Sequence, residues 1–238
     1  AGYADEATAW REWLVRAVAG RPGAAQIMYG PAGEKRLVEL ELDWLPGYEG
    51  SGPVRIGNGA HDQFQLDVFG EVLDAFHEDH RAMLADAPEA AAVGRALVDE
   101  VADRWHEPDD GIWEVRGGRR HFTHSKVMAW VALDRGIRIA EERGSTDAPL
   151  DRWRRARDEV RAEVLARGVD ERGVFVQELD GRALDASLLM VPLVGFLPPN
   201  DERVVNTVAA IREELGHDGF IHRYDTDDVH DGVGGGEG

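Results

Sequence analysis

The chain has 238 residues, of which 43% are hydrophobic and 31% charged, a composition typical of a globular protein with room for a buried core. Its 27 basic and 46 acidic residues give a net charge of −19, which disfavours nucleic acid and anionic membrane surfaces as partners. The absence of cysteine excludes a disulfide framework, a thiolate nucleophile and cysteine-bound zinc.

The first predicted element is an amphipathic helix from Asp5 to Ala19, with apolar residues at three- and four-residue spacing on one face. Residues 21–57 are rich in glycine and proline, and the partial alternation of Leu37–Leu42 predicts a short strand or an extended loop. Because this long segment also carries Trp44 and Tyr48, it is more typical of a functional loop than of a simple connection.

Six further helices are predicted after this segment. Periodicity and end signals place them at Ala60–Ala85, Pro88–Trp105, Ser125–Glu142, Leu150–Ala166, Asp185–Val194 and Asn200–Leu215. Asn200 is expected to cap the last of them. With about seven helices and almost no convincing strand, the predicted fold class is all-α. No break in composition marks a boundary, so residues 1–238 are expected to form one domain.

The longest apolar run, Leu188–Leu197, has ten residues and contains Pro192. A membrane-spanning helix needs about 20 apolar residues, so none is predicted. No signal segment opens the chain, and a cytoplasmic location is expected. Because the first residue is not methionine, a signal peptide upstream of it stays open.

The segment Pro108–Arg116 is the first candidate for chemistry, because an Asp-Gly turn in it leads directly to Trp113 and Glu114. Partly desolvated surroundings favour a protonated carboxyl group, which a general acid needs near neutral pH. On spacing alone, a structural Glu114 paired with Arg116 or Arg119 is the better interpretation.

Three other features carry weaker signals. Glu237, flanked by glycines, could lie against a ligand, although composition favours a disordered acidic tail there. Trp44 and Tyr48 are of the type that stacks on sugar rings, or they pack into the core. The histidine pairs, His77 with His80 and His121 with His124, lack a third ligand, so neither a metal site nor a cofactor is predicted.

Several longer motifs resemble glycoside hydrolase family 15, the family of glucoamylases, glucodextranases and bacterial trehalases. In chain order they are Arg55–Asp67 (RIGNGAHDQFQLD), Pro108–Glu114 (PDDGIWE), Arg120–Arg135 (RHFTHSKVMAWVALDR), Gly219–Asp225 (GFIHRYD) and Gly235–Gly238 (GGEG). The resemblance implies an (α/α)6 barrel, which agrees with the helical pattern. It also implies inverting hydrolysis of an α-glucosidic bond by two glutamates.

By this resemblance Glu114 is the general acid and Glu237 the general base. Arg223 matches a sugar-binding arginine, and Trp113 belongs to the same motif as the acid. The loop with Trp44 and Tyr48 corresponds to one that lines the glucose pocket. The expected partner is therefore a saccharide that contains α-linked glucose.

The resemblance also implies that residues 1–238 are an incomplete barrel, without the family's N-terminal β-sandwich, early barrel helices and last helix. Helix faces left open are expected to bind the remainder of the same chain or another copy. The leading hypothesis is a glucoamylase-like enzyme that releases glucose from malto-oligosaccharides or starch ends. An α,α-trehalase and a non-catalytic carbohydrate-binding fragment are the alternatives, and the joint presence of Glu114 and Glu237 counts against the latter.

Overall fold

The computed structural model describes residues 3–18, 25–81, 88–114 and 117–225. Within these ranges the chain forms seven α-helices and four strands of two residues each. The helices are α1 (Ala4–Val18), α2 (Asp67–Arg81), α3 (Pro88–Arg104), α4 (Thr123–Glu142), α5 (Leu150–Arg167), α6 (Met190–Leu193) and α7 (Glu202–Glu214). The strands form two antiparallel pairs, β1 (Leu40–Glu41) with β2 (Arg55–Ile56) and β3 (Gly216–His217) with β4 (Phe220–Ile221). The predicted all-α fold class is confirmed.

Helix α4 is the centre of the core, since fifteen of its twenty residues are buried and α2, α3 and α5 pack around it. The absence of a side chain at Gly70 lets α2 approach α4 closely. A Cβ atom at this position would lie 2.4 Å from the carbonyl oxygen of Met128, closer than real carbon atoms come. Helix α5 contributes Trp153, which is only 2% exposed and whose indole N–H donates to Asp99 of α3.

Two predicted helix starts are wrong. Helix α2 begins at Asp67 rather than Ala60, because the backbone N–H groups of Phe64 and Leu66 donate to the side chains of Asp110 and Asp109 and hold this stretch out of the helix. Residues 82–85 of the predicted helix lie outside the described residues.

Helix α7 begins at Glu202, and its N-cap is Asp201 rather than Asn200. The Asp201 carboxylate accepts a hydrogen bond from the backbone N–H of Arg203 at 3.0 Å, which satisfies one of the open donors of the first turn. The predicted helix Asp185–Val194 forms in two pieces, a 3₁₀ turn at Ala186–Leu189 followed by α6.

In the described part of the chain, no helix is long and apolar enough to cross a membrane. Apolar side chains of α7 face outward, with Val205 and Val208 exposed by 53% and 44%. The expected association of such helix faces with more of the same chain, or with another copy, stays a prediction.

Candidate active site

The segment that carries Glu114 is a loop whose two ends are bonded to each other, between α3 and α4. The backbone N–H of Asp109 donates to the carbonyl of Arg120, and the N–H of Arg120 donates back to Asp109, each at 2.9 Å. Inside this 109–120 loop, Gly111 turns the chain with φ +72°, and a Cβ there would lie 2.7 Å from the Phe122 ring. Only glycine fits this turn.

Glu114 is half-buried and has φ +55°, a backbone conformation that residues other than glycine rarely adopt. Such conformations concentrate at functional sites, where the surrounding structure holds them. The side-chain amide of Asn58 donates to Oε2 of Glu114 at 3.5 Å. The predicted alternative of an ion pair with Arg119 does not form, because Arg119 pairs with Asp110 at 3.0 Å. Arg116 lies outside the described residues.

The base of the 109–120 loop is anchored by charged groups inside the protein. Lys126 is fully buried, and its ammonium donates to the carbonyl oxygens of Trp105 and Glu107 at 2.5 and 2.6 Å. Burial lowers the pKa of Lys126 to about 8, against the opposing attraction of the Asp109 carboxylate. Burial likewise raises the pKa of Asp109 to about 6, and that of Asp67, with the help of the nearby Asp109 charge, to about 7. Sequence reasoning identified none of these three residues.

Two residues predicted to bind sugar, Trp113 and Arg223, come together although 110 positions separate them in the sequence. The guanidinium carbon of Arg223 lies 5.5 Å from the centroid of the Trp113 ring and 5.8 Å from that of Tyr224. The two rings are themselves 6.4 Å apart, centroid to centroid. Cation–π attraction at these distances stabilises the arginine beside the indole. The structure therefore places an arginine and an aromatic surface directly beside the peptide of Glu114.

Trp44 and Tyr48 project into solvent, with 74% and 83% of their surfaces exposed. This placement excludes the alternative that they pack into the core. Their loop joins β1 to β2, and the same hairpin ends at Asn58, whose backbone N–H donates to the Leu37 carbonyl. One end of the hairpin thus contacts Glu114 through Asn58, while contact of the two aromatic residues with a sugar stays a prediction.

Glu237 lies outside the described residues, so its predicted place opposite Glu114 stays a prediction. Sequence reasoning also missed two residues that touch the site, Asn58 and Asp185. Both carboxylate oxygens of Asp185 accept from the indole N–H of Trp113, each at 3.0 Å. The only available signal for Asp185 was its position as a helix-cap residue, which does not distinguish a buried partner of Trp113 from a surface cap.

Of the histidines in the two predicted pairs, His77 and His124 are buried and His121 is half-buried. Burial lowers the pKa values of His77 and His121, and it lowers that of His124 to about 4, against the opposing effect of Asp185. The side chain of His80 lies outside the described residues. Among the side chains that the structure describes, no group of three His, Asp or Glu residues could hold a metal ion.

The lowered pKa of His124 predicts a loss of stability in acid. Between pH 6.5 and about 4 the unfolded chain binds a proton at this ring and the folded chain does not, so the free energy of unfolding falls as the pH falls, by up to ~1.4 kcal/mol per pH unit. We expect the free energy of unfolding of His124→Gln, measured by urea unfolding across this pH range, to fall less steeply than that of the unsubstituted protein. The raised pKa values of Asp67 and Asp109 make the free energy of unfolding rise as the pH falls. This contribution is the same in His124→Gln and in the unsubstituted protein, so it cancels in the comparison.

The exposed His217 provides the control for this prediction, because His217→Gln removes the same ring without touching the core. A fall of stability in His217→Gln as shallow as that in His124→Gln would show that the effect does not depend on the buried ring. Equal slopes for His124→Gln and the unsubstituted protein would show that the imidazole of His124 accepts its proton in the folded state.

Comparison with known proteins identifies relatives for the whole chain. The sequence model of the family described as Glycosyl hydrolases family 15 matches residues 1–238. The chain is 51% identical over 214 residues to a trehalase of Mycobacterium tuberculosis, an alignment that covers 90% of this chain and 31% of that protein. It is 49% identical over 215 residues to a trehalase of Mycolicibacterium smegmatis, covering 90% of this chain and 32% of that one.

A solved structure of a glycosidase variant in complex with glucose has the same fold, with a TM-score of 0.70 over 94% of this chain and 59% of that one, at 24% identity. The chain spans about a third of the length of the two trehalases that it matches.

Proposed function

The chain belongs to glycoside hydrolase family 15, and on this premise we propose that it is part of an enzyme that hydrolyses α,α-trehalose. The observation that carries the choice of substrate is the 51% identity to a trehalase over 90% of the chain. The leading hypothesis from the sequence was a glucoamylase-like enzyme, with an α,α-trehalase as an alternative. We now prefer this alternative. The relatives support hydrolysis of trehalose better than hydrolysis of starch ends.

In the proposed reaction Glu114 donates a proton to the oxygen that joins the two glucose rings. The bond from C1 of one ring to this oxygen breaks, and a water molecule attacks the same C1 from the opposite face. Glu237 takes the proton of that water, so one water is consumed and two glucose molecules are released. The attacked ring leaves as β-glucose, and the other ring keeps its α configuration.

The geometry around Glu114 supports the acid role. Its left-handed backbone, the Asn58 amide on its carboxylate and the closed ends of the 109–120 loop hold the side chain in one place. A proton donor gains rate from such fixed placement, because the reacting atoms then need no further ordering. The guanidinium of Arg223 supplies hydrogen-bond donors for sugar hydroxyl groups, and the indole of Trp113 supplies an apolar surface.

The test is hydrolysis by the full-length protein of trehalose, maltose, maltotriose and isomaltose at equal concentration. We expect the largest kcat/KM on trehalose, and early proton NMR spectra should show α- and β-glucose in equal amounts before the anomers interconvert. Faster hydrolysis of maltose than of trehalose would favour the glucoamylase-like function instead. Initial release of α-glucose alone would overturn the inverting mechanism. Calorimetric binding of trehalose without turnover would support the non-catalytic alternative.

A further inference from the structure

Asp185 is a buried carboxylate on which three parts of the protein converge. It is 3% exposed and accepts hydrogen bonds from the Trp113 indole, from the side-chain amide of Gln177 at 3.0 Å and from the backbone N–H of Ser187 at 2.8 Å. Each of its two oxygens thus accepts two hydrogen bonds. Buried polar groups need hydrogen-bond partners. Here the hydrogen bonds of Asp185 connect the 109–120 loop to the turn that precedes α6.

The bond to Trp113 fixes the orientation of the indole ring. The indole nitrogen lies on the edge of the ring and is 3.0 Å from both carboxylate oxygens, so rotation of the ring about the Cβ–Cγ bond would break the contact. With its edge held by Asp185, the ring has its π-system available to the guanidinium of Arg223, whose carbon lies 5.5 Å from the ring centroid.

The segment with Arg223 is held by the same short stretch of chain. Asp185 and Tyr224 form an antiparallel bridge, and the backbone N–H of Ala186 donates to the carbonyl of Arg223 at 2.8 Å. Asp185 therefore lies between the peptide that precedes Glu114 and the strand-like segment that carries Arg223. The side chain of Asp185 holds Trp113, while the backbone of Asp185 and Ala186 holds the segment of Arg223.

A capping role alone does not account for these contacts. Asp201 caps α7 by accepting from a backbone N–H two residues ahead, as Asp185 does for Ser187, yet its side chain lies near the surface and pairs with Arg203. An N-cap needs one acceptor oxygen, which serine or asparagine would also supply. The Asp185 carboxylate accepts two further donors, the Trp113 indole N–H and the Gln177 side-chain amide, in a place that is closed to water.

We infer that Asp185 is a positioning residue of the site, which acts through the indole N–H of Trp113 to align Arg223 and Glu114 for sugar hydrolysis. This inference rests on the proposed function and adds a residue to it. Asp185 does not act on the sugar itself, so its effect on catalysis depends on the N–H that it holds.

A double-mutant cycle in the full-length protein tests this dependence, with Asp185→Asn, Trp113→Phe and the two combined. Phenylalanine keeps an aromatic ring but has no N–H to donate. We expect each single substitution to lower kcat/KM on trehalose by about tenfold, and the double variant to lie within about threefold of either single one. Multiplied losses in the double variant would show that Asp185 acts independently of Trp113 and would overturn the inference.

Asp201→Asn is the matched control, since it makes the same change at another helix cap. Asparagine keeps an acceptor oxygen for the cap and removes only the ion pair with Arg203, so the melting temperature should change little and kcat/KM per folded molecule should stay unchanged. If Asp185→Asn likewise leaves kcat/KM per folded molecule unchanged, the role of Asp185 is that of a cap and the inference is wrong.

A second measurement does not depend on turnover. Fluorotryptophan labelling gives one ¹⁹F signal per tryptophan, and the signal lost in Trp113→Phe identifies that of Trp113. We expect Asp185→Asn to shift this signal and Asp201→Asn to leave it in place. If no sugar is hydrolysed but the signal shifts, the proposed substrate has failed and the contact stands; an unmoved signal overturns the contact itself.

Discussion

Glu114→Gln should lower kcat on trehalose by at least ~10², because the amide has nearly the shape of the carboxyl group but no acidic proton for the departing oxygen. The contact with Asn58 can persist, so the fold of the 109–120 loop is expected to survive. Steady-state kinetics at a fixed pH gives the loss, and thermal unfolding verifies that the variant is folded.

α-Glucosyl fluoride separates proton donation from other effects of this substitution. Fluoride departs with little help from an acid, so Glu114→Gln should keep most of its activity on this substrate. The control is Asp180→Asn, which makes the same chemical change at another residue with positive φ, here +62°, on the surface beside Arg167. An unchanged kcat of Glu114→Gln on trehalose, or equal losses on both substrates, would remove Glu114 from the role of acid.

Glu237→Ala should also lower kcat on trehalose by at least ~10², since no group would then take the proton of the attacking water. Azide needs no base and can enter the space that the carboxylate leaves. We expect added azide to restore turnover by forming a bond from its terminal nitrogen to C1, as the bond from C1 to the glycosidic oxygen breaks and Glu114 protonates that oxygen. The product would be β-glucosyl azide, which NMR identifies.

The unsubstituted protein with azide is the reference for this experiment and should release only glucose, because water activated by Glu237 reacts first. Formation of α-glucosyl azide, or no response of Glu237→Ala to azide, would contradict the assignment of Glu237 as the base of an inverting reaction.

The long helices were predictable because each buries one face, so apolar residues recur with the helical period. The predicted ranges for α3, α4 and α5 agree with the structure to within two residues. The start of α2 was not predictable, since Phe64 continues the apolar period of that helix. What holds its backbone out of the helix is Asp110, 46 residues away, and no local pattern reports such a contact.

The same distinction applies to the site. Trp113, Glu114 and Arg223 are found in long motifs, and the resemblance that these motifs carry gives each a role. The residues that orient them act across long separations, 56 positions from Asn58 to Glu114 and 72 from Trp113 to Asp185. Their hydrogen bonds exist only in the folded chain, so a single sequence cannot reveal them.

Helix α4 and the hairpin loop around Trp44 differ strongly in burial, since most of α4 is buried and the side chains of Trp44 and Tyr48 are exposed. We expect the amide groups in the buried part of α4 to exchange with solvent only through large openings of the core, whereas an exposed loop exchanges through small local openings. Substitutions at Trp44 or Tyr48 touch little of the core and change folding stability by about 0.5 kcal/mol or less. Substitutions in this loop can therefore accumulate with little effect on the fold, whereas a substitution of Lys126, which is fully buried and bonded to two carbonyl oxygens, would disturb the core.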